Sequence, residues 1–228
     1  MRGCTVTGLS QWRAQPSQAG RDSAAMLVPP LCWSCHAPAR RGEPLCRGCR
    51  VAMQRLGADP LWLCGARVWA PVAYAGPARD LVHALKFRGA LRVADAMAAR
   101  IAASAPPGWV EGATLVPVPL HPSRLRSRGF NQAAVIADAL ARRARSALDD
   151  CLVRSGAATT QVGRHRPARR AGPAGAIALR PGASAPERVL VVDDVVTTGA
   201  TLAACAAILL ESGTSEIAAV AFARTLGR

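Results

Sequence analysis

The chain has 228 residues, half of them apolar, with few aromatics and a formal charge of +15. That length holds one ordinary domain plus a small one, with a core filled by Ala, Val and Leu, and no apolar window is long and clean enough for a membrane-spanning helix. The charge rests almost wholly on arginine, since Lys86 is the sole lysine. It favours polyanions as partners (nucleic acid, phosphorylated metabolites or an acidic membrane), although a GC-rich genome enriches Arg, Ala, Gly and Pro together and accounts for part of it.

Residues 1–25 lack the apolar core of a secretory signal. They read as a disordered or mis-called extension, loosely like a transit peptide, with Met26 as an alternative start. A cytoplasmic protein is expected, with its eight cysteines reduced.

Residues 27–64 carry five of the eight cysteines. Cys32, Cys35, Cys46 and Cys49 form two Cys-x-x-Cys pairs separated by ten residues. Four thiolates in such pairs suit tetrahedral zinc, and a site closed by four sulfurs is structural rather than catalytic. A redox dithiol is the rival reading. Cys64 is left over, and Cys4, Cys151 and Cys205 have no partner at metal spacing. Arg40, Arg41, Arg47, Arg50 and Arg55 surround the pairs. Together with Trp33 they would let a small basic module hold single-stranded nucleic acid by phosphate contact and stacking. The alternative is a module that packs on the main domain and only stabilises it.

Residues 68–228 are expected to form the main domain. "VWAPVAY" (68–74) reads as a strand, followed by helices over "ARDLVHALKF" and "ALRVADAMAARIAA". "SAPPGW" (104–109) is a break. "TLVPVPL" (114–120) is a strand, and a helix begins at Asn131. Residues 155–186 show no regular pattern. "RVLVVDDV" (188–195) and "EIAAVAFA" (216–223) are apolar runs of the kind buried on both faces, with a helix over "TLAACAAILLES" between them. This alternation predicts an α/β fold with a parallel sheet flanked by helices, whose ligands bind beyond the carboxyl ends of the strands.

The stretch "VLVVDDVVTTGAT" (189–201) brings Asp193 and Asp194 to that end of the sheet. A P-loop nucleotidase would need a Gly-Lys-Ser/Thr loop, and Lys86 lies in "HALKFRG" instead. A phosphoacceptor domain would place its acids early and a lysine later. A sugar-phosphate cradle fits better. The turn Thr197-Thr198-Gly199-Ala200-Thr201 offers hydroxyls and converging backbone N–H groups to a monophosphate, while carboxylates accept vicinal sugar hydroxyls.

The same stretch resembles the phosphoribosyl-diphosphate (PRPP) signature of type I phosphoribosyltransferases. "YAGPARDLVHALKFRG", "LVPVPLHPSRLRSRGFNQA" and "TTQVGRHRPARRAG" precede it in the order of the ComF-like family, competence-associated proteins with a phosphoribosyltransferase domain behind a cysteine-rich zinc domain. The resemblance covers residues 27–225. It implies that Asp193 and Asp194, the catalytic candidates, hold the ribose hydroxyls, that Thr197–Thr201 hold the 5-phosphate, and that Val195 belongs with them to the PRPP-binding stretch. Pro119, Leu120, His121, Arg124 and Arg128 would face diphosphate, as would Lys86. Arg164, with Arg166, Arg169 and Arg170, would belong to a loop closing over PRPP. Magnesium would arrive with PRPP. The implied activity is displacement at the ribose anomeric carbon, in a setting of DNA uptake and natural transformation. A non-catalytic protein that binds single-stranded DNA and works with uptake or recombination proteins on the same fold stays open as the alternative.

Overall fold

A computed structural model describes residues 30–63, 66–155 and 177–227. The amino-terminal extension, Met26, Cys4, Cys64, Arg164, Arg166, Arg169 and Arg170 lie outside the described residues.

The chain enters through a loop cross-linked by a Leu31–Pro38 antiparallel bridge and by the Cys32 N–H donating to Ala37 O (2.8 Å). Helix α1 (Arg47–Ala52) follows, then strands β1 (Leu61–Leu63), β2 (Ala66–Trp69) and β3 (Val72–Ala73). Helices α2 (Gly76–Arg88) and α3 (Arg92–Ala102) precede β4 (Thr114–Pro117), α4 (Pro122–Arg128) and α5 (Gln132–Ala144). After β5 (Leu152–Arg154) and β6 (Ile177–Leu179) come β7 (Arg188–Val196), α6 (Ala200–Glu211) and β8 (Glu216–Arg224).

The main sheet runs β1-β2-β8-β7-β4, with β3 pairing further along β8. All its pairs are parallel except β1 with β2. The expected strand over 68–74 is split, because Pro71 has no N–H to give a ladder and the chain re-pairs with β8 only at Val72.

β7 is the centre. Val189 and Val191 join an apolar cluster with Leu202, Cys205 and Leu209 of α6. Leu190 and Val192 join the opposite cluster, with Leu81, Leu85, Val93, Met97, Ile136 and Leu140 of α2, α3 and α5. Alternate residues thus fill alternate faces, as the pleat requires. Cys32, Leu45 and Met53 belong to the second cluster, so the cysteine-rich head shares its core with the helices behind the sheet.

One feature of the topology positions a cleft. After α5 the chain returns beside β4, not β7, with the Leu115 N–H donating to Ala147 O (2.8 Å) and the Asp149 N–H to Leu115 O (3.0 Å). From β7 the chain crosses through α6 to β8, in the other direction. Oppositely directed right-handed crossovers put their helices on opposite faces, as α5 and α6 are. The order therefore reverses between β4 and β7, and in open α/β sheets that reversal opens a crevice at the carboxyl ends of the two strands. Among the described residues no helix is long and apolar enough to cross a membrane.

Candidate functional site

β4 leaves the sheet at Pro117, whose register partner is Val192, and the Val118 N–H still donates to Val192 O (2.9 Å). β7 continues to Val196 along β8 alone. Asp193 and Asp194 thus extend past the end of β4, into the crevice.

Successive strand residues point to opposite faces, and the two aspartates do so. Asp193 lines an open hollow of about 230 Å³ whose other walls are Val195 to Leu202. Its Oδ1 accepts from the Asp194 N–H (2.8 Å). Asp193 keeps some exposure through that hollow, but packed protein surrounds its carboxyl. That burial, with the neighbouring Asp194 charge, holds the group well above the usual carboxylate range, and Lys86 only partly offsets the effect. Asp194 is buried on the other face, where Lys86 Nζ of α2 lies 2.8 Å from its Oδ2. The ammonium sits off the direction a hydrogen bond needs, so this oxygen has a counter-charge but no aligned donor.

The loop after β7 opens α6. Gly199 caps that helix with φ +77, and a Cβ there would lie 3.2 Å from Leu63 Cδ1 and 3.3 Å from its Cβ. Glycine is favoured on both counts. Thr198 Oγ1 accepts from the Ala200 N–H (3.4 Å), while Thr197, Thr198 and Ala200 are exposed to the hollow.

Across the crevice the expected turn after "LVPVPL" is a turn followed by a helix. Pro119 is buried and Leu120 half-buried, and His121 caps α4 by accepting from the Ser123 N–H (3.2 Å). Pro122 at the first helical position and Gly129 in the left-handed C′ position (φ +82) are the signals of α4 in the sequence. Arg124 and Arg126 are exposed. Arg128 is half-buried and donates to Gln132 Oε1. Burial lowers its pKa, while attraction to Asp194 opposes that shift.

Asn131, to which the sequence assigns only a helix start, is a joint between strand and helix. Its Oδ1 caps α5 by accepting from the Ala133 N–H (3.1 Å), and its Nδ2 donates to Val118 O (2.9 Å). Both bonds are buried, and they fix the chain where β4 turns into the crevice. An Asn immediately before a helical pattern was the visible half of this role; the reach back to Val118 is tertiary.

The second site is the head. The Sγ atoms of Cys32, Cys35, Cys46 and Cys49 all lie within 4.8 Å of one another, and those of Cys35 and Cys46 are 3.6 Å apart. Tetrahedral zinc with bonds of about 2.3 Å separates its sulfurs by about 3.8 Å. The four cysteines are positioned to bind one metal ion. Cys46 Sγ also caps α1 by accepting from the Cys49 N–H (3.5 Å). Burial raises the Cys32 thiol, but N–H groups at Cys35, Cys46 and Ser34 outweigh it and bring the pKa down to about 6. Burial, with the neighbouring Cys35 and Cys32 thiols, pushes Cys49 up to about 12. Four sulfurs this close cannot all ionise without a cation.

The head packs onto α2. Ser34 Oγ donates to Asp80 Oδ2 (2.6 Å), and the Arg88 guanidinium carbon lies 5.9 Å from the centre of the half-buried Trp33 ring. Trp33, the expected stacking residue, therefore already has a cation over it. Cys151 and Cys205 are buried in the α6 cluster.

No protein-family model matches the chain. It is similar to the DNA utilization protein YhgH of Salmonella typhimurium, with 30% identity over 227 residues that cover 88% of this chain and 100% of that one. The Escherichia coli O157:H7 protein of the same name is 28% identical over 230 residues, again with 88% of this chain and all of the relative covered. The likeness thus extends from the cysteine-rich head through the crevice, and the chain belongs to the family of the DNA utilization protein YhgH.

Proposed function

We propose that the crevice between β4 and β7 binds PRPP and that the protein is a phosphoribosyltransferase-type enzyme. The observation that carries this reading is the hollow itself. One carboxylate, three threonines and a glycine with a left-handed backbone surround a space at the strand-order reversal. In this reading Thr197 to Thr201 take the 5-phosphate through N–H and hydroxyl donors. Asp193 takes the sugar hydroxyls. Asp194 acts at one remove, by fixing Lys86 and drawing on Arg128 at the opposite wall.

The exposed Arg124, with Arg128, would neutralise diphosphate as it departs, and Arg164 is the candidate beyond the described residues. Magnesium would come with PRPP and supply charge neutralisation; Asp193 is the oxygen donor the hollow offers it. The bond from the anomeric carbon to diphosphate breaks, the leaving oxygen keeps the electron pair, and an incoming nucleophile takes its place. The protein's work is positioning and electrostatic stabilisation.

PRPP with magnesium should raise the melting temperature, by about 2.7 kcal/mol of added stability at 100 times its Kd. Asp193→Asn should lose that shift. A wild type indifferent to millimolar PRPP sinks the proposal.

A second reading has its own support. The relatives are named for DNA utilization, and the chain carries +15 with exposed arginines on α4. Single-stranded DNA, handled in the cytoplasm beside uptake or recombination proteins, would then be a partner. Its affinity should fall with salt on a negative log–log slope. No binding at low salt would exclude it. We assign the four cysteines to a structural zinc that holds the head against α2, while β1 pairs in the main sheet.

A further inference from the structure

Lys86 and Phe87 are neighbours on α2, about 100° apart around the helix. Lys86 turns inward to Asp194. Phe87 turns outward and is 69% exposed, which is unusual for a large apolar ring at the rim of a crevice. The ring is not loose. The Arg128 guanidinium carbon lies 5.5 Å from its centre, and the centre of the His83 ring lies 5.4 Å away with the planes 60° apart. Arg128 is itself tied by its bond to Gln132 at the start of α5.

Arg128 is therefore shared. It senses the Asp194 charge on one side and covers Phe87 on the other, so the aromatic ring and the crevice are joined through a single side chain. Arg124 and Arg126 stand exposed on the same short helix.

We propose that Phe87 and Arg128 form a stacking platform that receives the flat face of a nucleobase at the mouth of the crevice. The chemistry is selective for that class. Phenyl and guanidinium planes both stack on aromatic bases, and every base presents such a face. The exposed arginines beside the platform would meet the phosphate that a nucleotide brings with it. The base can come from a free nucleotide or from a single strand, and the recognition is the same in both. The inference rests on the crevice being the ligand site.

The test uses the full chain with its metal and two variants. Phe87→Trp puts a fluorescent ring on the platform, and Phe87→Ala removes it; at an exposed position neither threatens the fold. The probes are adenosine monophosphate, a thymidine dodecamer and an abasic oligomer of equal length, all at low salt. The base-bearing probes should quench the added indole, and the abasic oligomer should not. Quenching by the dodecamer alone assigns the base to a strand, and quenching by the mononucleotide assigns it to a free nucleotide.

Phe87→Ala should weaken whichever base-bearing probe binds by roughly 5- to 150-fold, the range of base–aromatic stacking, and leave the abasic oligomer unchanged. Equal binding by Phe87→Ala and wild type, or quenching of the Trp variant by the abasic oligomer, overturns the platform. Failure of the PRPP reading looks different: wild type shows no PRPP shift, whatever Phe87→Ala does. If the shift persists in both proteins while Phe87→Ala binds bases as wild type does, the platform alone has failed.

Discussion

The cysteine head and the Asp193 hollow are both places where ionisable groups are crowded, but the fold resolves the crowding in different ways. In the head, four sulfurs converge within 4.8 Å of one another, and their cluster shares a core with α2 and α3. A cation bound there would complete that region and thereby the fold. In the hollow, Asp193 is crowded against Asp194 but opens to solvent on its other side, and Lys86 lies against the buried partner. With its metal, the first site would be closed and serve stability. The second is left electrostatically incomplete, as expected of a site that waits for a ligand.

Metal removal tests the closed half of this contrast and should have the largest effect. Structural zinc contributes on the order of 10 kcal/mol to small thiolate sites. Chelation, or Cys46→Ser, should unfold residues 30–53 and sharply lower the melting temperature of the whole chain, because Cys32, Leu45 and Met53 sit in the larger core. Metal analysis should return one equivalent. An unchanged melting curve after verified metal loss would falsify the contrast.

Lys86→Met comes next. It leaves the Asp194 carboxylate buried without its counter-charge, which costs about 3 kcal/mol in the usual range for a broken buried pair. We place it at the low end because Arg128 also attracts Asp194. Urea denaturation would show the loss, and adding Asp194→Asn should recover most of it. If the double variant is no better than the single, the pair is not what holds that face.

Much of this was legible in the sequence, and what was not has identifiable causes. β7, α6 and β8 lie within a residue or two of their expected bounds, because unbroken β-branched and alanine-rich runs speak for themselves. α4 was missed because "PSRLRSR" has no apolar face; its signals were its ends, Pro122 and Gly129. β5 and β6 were missed because three-residue strands leave too short a pattern. The two aspartates read as one ligand pair in the motif. Strand pleating alone would have separated them, since adjacent residues face opposite sides. The partnership of Lys86 with Asp194 joins positions 108 residues apart, and no local pattern announces such a contact.

Gly199→Ala is a smaller break on the open side. A left-handed backbone costs a non-glycine residue about 1–2 kcal/mol, and the new Cβ would also press on Leu63. Thermal melts should show that loss together with a weaker PRPP shift. Adding Leu63→Ala separates the parts: it removes the Cδ1 contact and leaves the Cβ contact and the backbone cost, so a full recovery would mean that neither of those is the constraint.

The smallest effect is the most pointed, because it reverses the usual sign. Asp193 holds its proton more tightly in the folded chain than in the unfolded one, owing to burial and to Asp194. The native state therefore binds more protons than the unfolded state once the pH passes the ordinary carboxylate value of 3.8, and stability falls as pH rises through the raised folded value. The facing groups set the scale: Asp194 raises the shift, Lys86 reduces it, and Cys205 of α6, whose thiol Asp193 helps to push up, adds no positive charge. Asp193→Asn removes the ionisation and should stabilise the ligand-free protein by about 1 kcal/mol at neutral pH, with a gain that shrinks towards pH 4. The same substitution should abolish the PRPP shift. Urea midpoints for both proteins at several pH values decide the matter. A variant that is less stable than wild type at neutral pH would mean that Asp193 supports the fold as the cysteines do, and that the hollow is not a site left incomplete for a ligand.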